Sequence, residues 1–277
     1  MMWPYFNDHT SYGAMIAFFI PLLFCVFFNS RKVLLRVTTF FLITLFLIGL
    51  ILSFSRAAWI SLICAMFIMF FIWLKLSART LLTISLSVFI TLIVFQNSLI
   101  TKLSTNDQDS SDNLIEHFSS LSNITTDASN MERINRWKCA LKMFKEKPML
   151  GWGPSTYQFN YAPYQISSDK TIISTNFGDG GNAHSEYLGI LSESGIIGLL
   201  TLFFLLICVF FKIINLYYSC SDVEIKRLLL ALFTSLLSYF IHSLFNNFLD
   251  MDKASVALWA SLAIIVSIEQ NFKKYCS

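Results

Sequence analysis

The segment from Gly178 to Leu200 has the sequence GDGGNAHSEYLGILSESGIIGLL, and it joins two different kinds of chain. Its first half is polar and rich in glycine, whereas its second half begins an apolar run that continues to Phe211. A run of about 20 mostly apolar residues is long enough to cross a bilayer as a helix. His184 and Glu186 therefore form a titratable pair at the point where a water-exposed loop meets a membrane.

The composition of the whole chain is that of an integral membrane protein. Of its 277 residues, 55% are hydrophobic and 13% are charged, and the mean hydropathy is +0.62. Soluble domains carry about 25% charged residues. No basic patch interleaved with aromatic residues indicates a nucleic-acid partner. None of the six cysteines lies at CxxC spacing, so the sequence predicts no metal site of that kind.

Seven apolar stretches are candidates for membrane-spanning helices. The predicted fold class is therefore all-α: a polytopic membrane helix bundle of about seven spans with one large, partly helical external loop. The candidate spans cover roughly residues 11–28, 33–53, 57–74, 80–100, 190–211, 227–245 and 254–268.

These spans divide the chain into three predicted regions. Residues 1–100 form an N-terminal membrane bundle of four spans, 101–186 form the large external loop, and 187–277 form a C-terminal membrane bundle of three spans. Lys and Arg in short connections mark the cytoplasmic side. Most of them lie on one side, and only Arg56 and Lys253 lie on the other. The N-terminus and the large loop are therefore predicted outside, and the C-terminus in the cytoplasm.

The external loop contains one predicted helix. After a polar stretch at 104–130, apolar residues recur at helical spacing between Met131 and Lys147, which is typical of an amphipathic helix. Its apolar positions are Ile134, Trp137, Leu141 and Phe144. The sequence PMLGWG at 148–153 ends the helix with a turn. Several aromatic residues that follow either stack on sugars or form an interfacial belt: Trp152, Tyr157, Tyr161 and Tyr164.

Three arginines are candidates for binding an anion. Arg56 lies at the outer mouth between the second and third predicted spans, where a charge is costly unless it is paired or meets water. Arg133 and Arg136 are three residues apart on the predicted loop helix and so point to similar faces. A guanidinium matches phosphate oxygens in a bidentate manner, so the three together could hold a diphosphate. The alternatives are a snorkelling Arg56 and a solvated basic helix face.

His184 is the candidate general base, because an imidazole with an ordinary pKa of about 6.5 accepts a proton near neutral pH. Glu186 either orients it or contributes an acid of its own. The alternative is an interfacial histidine without a role. His242, within the sixth predicted span, is a minor candidate. The GDGG sequence is not a nucleotide-binding pattern, and no strand precedes it.

Four segments of the chain, in this order, resemble the O-antigen ligase and O-antigen polymerase family of bacterial envelope proteins. They are NDHTSYGAMIAFFIPLL at 7–23, SFSRAAWISL at 53–62, ERINRW at 132–137 followed by KPMLGWGPSTYQ at 147–158, and NAHSEYLGILSESGIIGLL at 182–200. The resemblance extends over nearly the whole chain.

This resemblance implies metal-independent glycan transfer at the periplasmic face of the bacterial cytoplasmic (inner) membrane, without cofactors. The donor is a glycan on undecaprenyl diphosphate. A ligase of lipopolysaccharide biosynthesis transfers it to a sugar hydroxyl of lipid A–core, and a polymerase transfers it to a second lipid-linked glycan. Carried over by motif, Arg56 and Arg133 hold the donor diphosphate, with Arg136 a less close match. His184 activates or positions the acceptor hydroxyl.

The chain departs from the family pattern in its number of spans. Family members usually have many more spans, with both ends inside, so an N-terminal truncation is expected here. Two other hypotheses are a multi-span transporter or flippase component and an inactive fragment. A transporter would carry ionisable residues deep within its spans, whereas the polar residues here concentrate in the loop. The sequence does not separate ligase from polymerase, and it does not name the glycan, the acceptor or the oligomeric state.

Overall fold

The computed structural model describes residues 5–6, 8–74, 128–167, 170, 174 and 181–276. Within these ranges every regular element is a helix, which confirms the predicted all-α class. The predicted span at 80–100 and most of the polar stretch at 104–130 lie outside the described residues.

The described helices match most of the predicted ones. They are α1 (His9–Asn29), α2 (Val33–Leu52), α3 (Arg56–Trp73), α4 (Ala128–Glu146), α5 (Tyr157–Asn160), a 3₁₀ turn (Ala162–Tyr164), α6 (Glu186–Ser219), α7 (Val223–His242), α8 (Asp252–Gln270) and α9 (Phe272–Tyr275).

Five of the described helices, α1, α2, α3, α6 and α7, are long and apolar enough to cross a membrane. The chain is therefore a multi-pass membrane protein. The seventh predicted span forms α8, which is not among these five. The predicted number of about seven spans is thus not confirmed.

Local capping fixes where two of the spans begin. The Asp8 carboxylate accepts a hydrogen bond from the Ser11 N–H at 2.7 Å and so caps α1. The Asp222 carboxylate accepts one from the Ile225 N–H at 2.9 Å and caps α7. A side-chain acceptor at this position satisfies one of the backbone donors that the first turn of a helix leaves without a partner.

One end of the bundle, which we call the loop end, gathers α4, His184 and the starts of α1, α3 and α6. The ring of His9 hydrogen-bonds the Ser53 carbonyl at 2.9 Å, which ties the start of α1 to the end of α2. The Glu186 N–H donates to the Ser243 carbonyl at 3.0 Å, which ties the start of α6 to the end of α7. Segments distant in sequence therefore converge at this end.

Helix α7 lies at the centre of the bundle, packed against both α1 and α3. Its buried residues Leu229, Leu232 and Leu236 share one apolar core with Phe18 of α1. By contrast, α2 and α6 expose large apolar side chains, and Phe204 is 70% exposed. An apolar surface of this extent is typical of contact with lipid.

The end opposite the loop end is closed by ion pairs and a disulfide. Arg31 and Glu224 approach to 3.0 Å, and Cys220 is bonded to Cys276, a pairing that the sequence did not suggest. Lys and Arg at this end favour the cytoplasmic side, whereas disulfides favour an oxidising compartment. These two indications disagree, so the orientation of the bundle stays a prediction.

Candidate active site at the loop end

The backbone of His184 is held from both sides. Its φ of +48° lies in the left-handed region, which is uncommon for a residue other than glycine. The His184 N–H donates to Asn182 Oδ1 at 3.0 Å, and the His184 carbonyl accepts a bond from Trp137 Nε1 at 3.2 Å. The loop helix α4 thus positions the candidate base directly, through Trp137.

The electrostatic surroundings of His184 keep its imidazole neutral. Burial, and then the positive charges of Arg133 and Arg136, lower the pKa of His184 to about 4, and the carboxylates of Glu132 and Asp8 act in the opposite direction. At neutral pH the ring therefore has a nitrogen that can accept a proton. The structure brings Arg133 and Arg136 close enough to His184 to interact with it, although a long stretch of sequence separates them from it.

Arg133 and Arg56 approach this region from two different helices. Arg133 is half-buried and lies one helical turn before Trp137, so it shares a face of α4 with the tryptophan that bonds to His184. Its charge also acts on His242 at the end of α7, whose ring lies beside the Ala57 backbone. Arg56, the first residue of α3, precedes Ala57 and is half-buried.

Arg136 is fixed inside the loop. It is buried, and its Nε donates to Glu132 Oε1 at 2.6 Å. Its guanidinium carbon lies 4.0 Å from the centre of the Tyr161 ring. A methyl group on Gly181 would lie 2.1 Å from Arg136 Nη1, so a side chain there would displace the guanidinium. Because its guanidinium is packed in this way, Arg136 acts on the pKa of His184 through its charge.

The loop helix is present, but the face that it buries is not the apolar one. Leu141, on the predicted apolar face, is 43% exposed, whereas Asn135, Cys139 and Met143 are buried. Asn135 Nδ2 donates to Gln165 Oε1 at 3.0 Å. The buried face is mixed: Asn135 and Arg136 find hydrogen-bond partners within the loop, and Cys139, Ala140 and Met143 form an apolar core with the loop tyrosines. Apolar spacing alone does not reveal the partners of the polar residues.

Two of the loop tyrosines form the core of the loop. Tyr157 and Tyr161 are 2% and 0% exposed, and their rings stack at 5.3 Å. The Tyr157 hydroxyl donates to the Arg136 carbonyl at 2.8 Å. The expectation of sugar stacking or an interfacial belt is wrong for Tyr161, which is fully buried; Tyr157 is nearly buried but lies on the wall of a polar cavity. Trp152 and Tyr164 are half-buried at the edge of the same core.

The loop is docked onto a break in α6 at Gly195. This glycine has a φ of +66°, which interrupts the helical geometry and leaves backbone groups available. The segment 148–153 binds those groups by three backbone hydrogen bonds: Trp152 N to Ser192 O at 3.1 Å, Gly153 N to Glu193 O at 2.8 Å, and Ile196 N to Pro148 O at 2.8 Å.

The Glu193 side chain strengthens the same docking. Its two carboxylate oxygens accept hydrogen bonds from the backbone N–H groups of Ser155 at 3.0 Å and Tyr157 at 2.9 Å. A charged acceptor makes stronger hydrogen bonds to backbone donors than a neutral one. Glu193 thereby holds the start of α5 against α6.

Glu186 is buried and bonded away from the loop. Its Oε1 accepts hydrogen bonds from the Phe248 N–H at 2.7 Å, the Leu249 N–H at 2.8 Å and the Tyr239 hydroxyl at 3.1 Å. The carboxylate therefore joins the start of α6 to the connection between α7 and α8. Its predicted catalytic role stays a prediction.

Replacing Glu186 tests the structural role of its hydrogen bonds. Glu186→Ala leaves up to three donors without an acceptor, at about 1–3 kcal/mol for each buried one, so a marked loss of thermal stability in detergent is expected. Glu186→Gln keeps a carbonyl oxygen and is expected to keep most of that stability. Equal stability of the wild type and Glu186→Ala would contradict this account.

A polar cavity of about 580 Å³ opens beside the segment that leads to His184. Its lining includes Asn182 of that segment, Glu193 of α6, Asp8 before α1, and Asn247 and Asp250 of the α7–α8 connection. No sequence motif assigned a role to Asp8, Asn247 or Asp250, because they come from polar connections that carry no catalytic pattern. Proximity in the folded bundle is what brings them together.

Within the described ranges, no three histidine, cysteine or acidic side chains are grouped so as to hold a metal ion. Metal independence of the reaction stays a prediction.

A family model described as O-antigen ligase matches residues 40–203, which is more than half of the chain. The matched region contains Arg56, Arg133, Arg136, His184 and Glu186, and it ends before the α7–α8 connection. No curated protein matches the chain.

Proposed function

Because the chain belongs to the O-antigen ligase family, we propose that it transfers a glycan from undecaprenyl diphosphate to a sugar hydroxyl of lipid A–core, at the periplasmic face of the inner membrane. Membership of the family supports an activity of the ligase or polymerase type. One observation carries the proposed glycan transfer: Trp137 of α4 hydrogen-bonds the His184 carbonyl, and Arg133, on the same face of that helix, lies within electrostatic reach of the His184 ring at the loop end of a membrane bundle. A base and an anion-binding cation are the two groups that this reaction needs.

Arg133 and Arg56 are the residues that we assign to the donor diphosphate. A guanidinium keeps its charge and can bind two phosphate oxygens at once. Arg56 is also the first residue of α3, where the helix dipole favours an anion. We assign Arg136 an indirect role: it is a buried charge, paired with Glu132, that acts on the site electrostatically.

In the proposed reaction the acceptor hydroxyl oxygen forms a bond to the anomeric carbon of the donor glycan. The bond from that carbon to the diphosphate oxygen breaks, and its electron pair leaves with the diphosphate. The hydroxyl proton passes to the neutral imidazole of His184. Stabilising the leaving anion and accepting one proton are sufficient because diphosphate is already a good leaving group.

Donor binding would also make His184 a stronger base. Burial and positive charge lower its pKa in the free protein. A bound diphosphate brings negative charge that offsets Arg133, and a nearby opposite charge raises the pKa of an imidazole. Proton acceptance is thereby linked to the presence of donor.

Deleting the gene in its host and separating the envelope glycolipids on a gel tests this function. If the protein is a ligase, long chains disappear from lipid A and polymer accumulates on undecaprenyl diphosphate. If it is a polymerase, lipid A carries a single repeat. Complementation with the wild type restores the pattern, and Arg133→Ala does not, because the donor loses its charged partner.

Lys145→Ala is the matched control, since Lys145 is an exposed cation on the same helix. It removes one positive charge from the last turn of the helix, about three turns beyond Arg133, and is expected to complement fully. The proposal is contradicted if the glycolipid pattern stays unchanged when this gene is deleted and any second gene of the same family in the host is deleted with it. Equal loss with both variants would assign the effect to the overall charge of the loop.

A further inference from the structure

The polar cavity beside His184 has the size and chemistry of a sugar-binding site. At about 580 Å³ it falls within the usual range of small-ligand pockets, about 300–1,000 Å³. Its lining combines amide side chains of Asn182, Asn247 and Gln158 with carboxylates and the ring of Phe248. Amides and carboxylates are the groups that hydrogen-bond sugar hydroxyls, and within the described ranges the acids are not grouped as a metal site.

The charges around His184 come from two sides, the loop helix α4 and the segment before α1. Arg133 and Arg136 of α4 supply positive charge, part of which Glu132 of the same helix offsets. On the other side, Asp8 lines the cavity and acts on His184 with the opposite sign. Hydrogen bonds from Thr10 and Ser11 outweigh burial and lower the pKa of Asp8, so its carboxylate is charged at neutral pH. A diphosphate is attracted to the first side and repelled from the cavity.

Two side chains of the α7–α8 connection, Asn247 and Asp250, line this cavity. Asn247 Oδ1 is buried and accepts no hydrogen bond from any described residue. A buried acceptor without a donor is costly, and a ligand hydroxyl would satisfy it. Asp250 is exposed on the cavity wall. Both residues lie outside the region that the family model matches.

The cavity also lies next to the lipid-facing surface. Asp8 and Met251 line it, whereas Phe6 and Asp252, close by in the chain, line an apolar groove of about 650 Å³ between α1, α7 and α8. A ligand anchored in the membrane can therefore approach the cavity from the bilayer. This arrangement fits a glycan that is attached to a lipid.

We propose that this cavity binds the acceptor sugar, that Asn247 and Asp250 contact its hydroxyl groups, and that it selects acceptors whose reacting end carries no negative charge. The assignment of the ligand as an acceptor rests on the proposed glycan transfer. In this arrangement the donor binds to the arginines and the acceptor binds in the acidic cavity, whose wall includes Ala183, the neighbour of His184.

A matched pair of amphiphilic sugars tests the charge selection. The full chain in nanodiscs is titrated with radiolabelled octyl β-glucoside and octyl β-glucuronide, which differ by one carboxylate, and empty nanodiscs correct for partition into lipid. The glucuronide is expected to bind at least about tenfold more weakly. Asp250→Asn is expected to reduce the ratio of the two dissociation constants, glucuronide over glucoside, by about threefold or more. Asp252→Asn changes an acid of the neighbouring groove and is expected to leave this ratio unchanged. Asn247→Ala weakens both probes.

Equal binding of the two probes to the wild type overturns the inference, as does a ratio that Asp250→Asn leaves unchanged. Arg133→Ala, which disrupts the proposed donor site, is expected to leave probe binding intact. The two proposals therefore fail separately. If the probes bind selectively but gene deletion leaves the envelope glycolipids unchanged, glycan transfer is refuted and the cavity assignment is not. If glycan transfer is confirmed but the probes bind equally, only the present inference is refuted.

Discussion

His184→Asn is expected to lower glycan transfer by about 10²–10⁴-fold, the usual contribution of a positioned general base. Asparagine is the informative replacement because His184 has a φ of +48°, and asparagine tolerates the left-handed region better than most residues. Its amide does not accept the proton that a neutral imidazole accepts. The measurement is the rate of transfer from a lipid-linked donor by purified protein, with protein amount and thermal stability recorded for each variant.

The alanine variant and the pH profile test the same role. His184→Ala removes the base and places alanine in a left-handed conformation that histidine and asparagine adopt more readily, so it is expected to be as inactive as His184→Asn and less stable. A base must be neutral, and the pKa of His184 in the free protein is about 4. The acid limb of kcat/KM is therefore expected below pH 6.5, and that of kcat at a higher pH because bound diphosphate raises the pKa. A limb of kcat/KM at or above pH 6.5, or an active His184→Asn, would exclude this base.

The helices were predictable because each span must satisfy its own backbone hydrogen bonds in lipid, which makes a long apolar run a reliable signal. The predicted span at 33–53 corresponds to α2 at Val33–Leu52. The signal weakens at α8, whose sequence mixes apolar residues with Asp252, Lys253 and serines. Family membership was also predictable, because its motifs are short and contiguous in the chain.

The arrangement of the site was only partly predictable. Motif spacing identified His184 and Arg133, but it gave no account of Asp8 or Asn247, which join the cavity wall through tertiary packing. It also missed the buried ion pair between Arg136 and Glu132. Spacing of i and i+4 allows such a pair, yet only the folded loop shows that this face is buried. Contacts between distant segments are set by the whole bundle, so local patterns do not report them.

Gly195→Ala is expected to undock the external loop and abolish transfer. A methyl group at this position would lie 2.3 Å from the Met149 carbonyl oxygen, and the backbone has a φ of +66°. Neither partner can yield easily, because Pro148 accepts a hydrogen bond from Ile196 in the same contact. Left-handed strain alone costs about 1–2 kcal/mol, and the clash adds to it. Increased proteolysis within the loop and loss of glycan transfer are the readouts.

Gly189→Ala is the control on the same helix, since a methyl group there meets only the Ala183 side chain at an ordinary 3.8 Å. It is expected to leave loop proteolysis unchanged. The contrast matters because α4 carries both Arg133 and the tryptophan that bonds to His184, while the loop is fixed to α6 at the break. A break in a transmembrane helix is thus expected to set the distance between the proposed anion-binding arginine and the proposed base. If Gly195→Ala retains both a protected loop and full activity, that distance is set elsewhere.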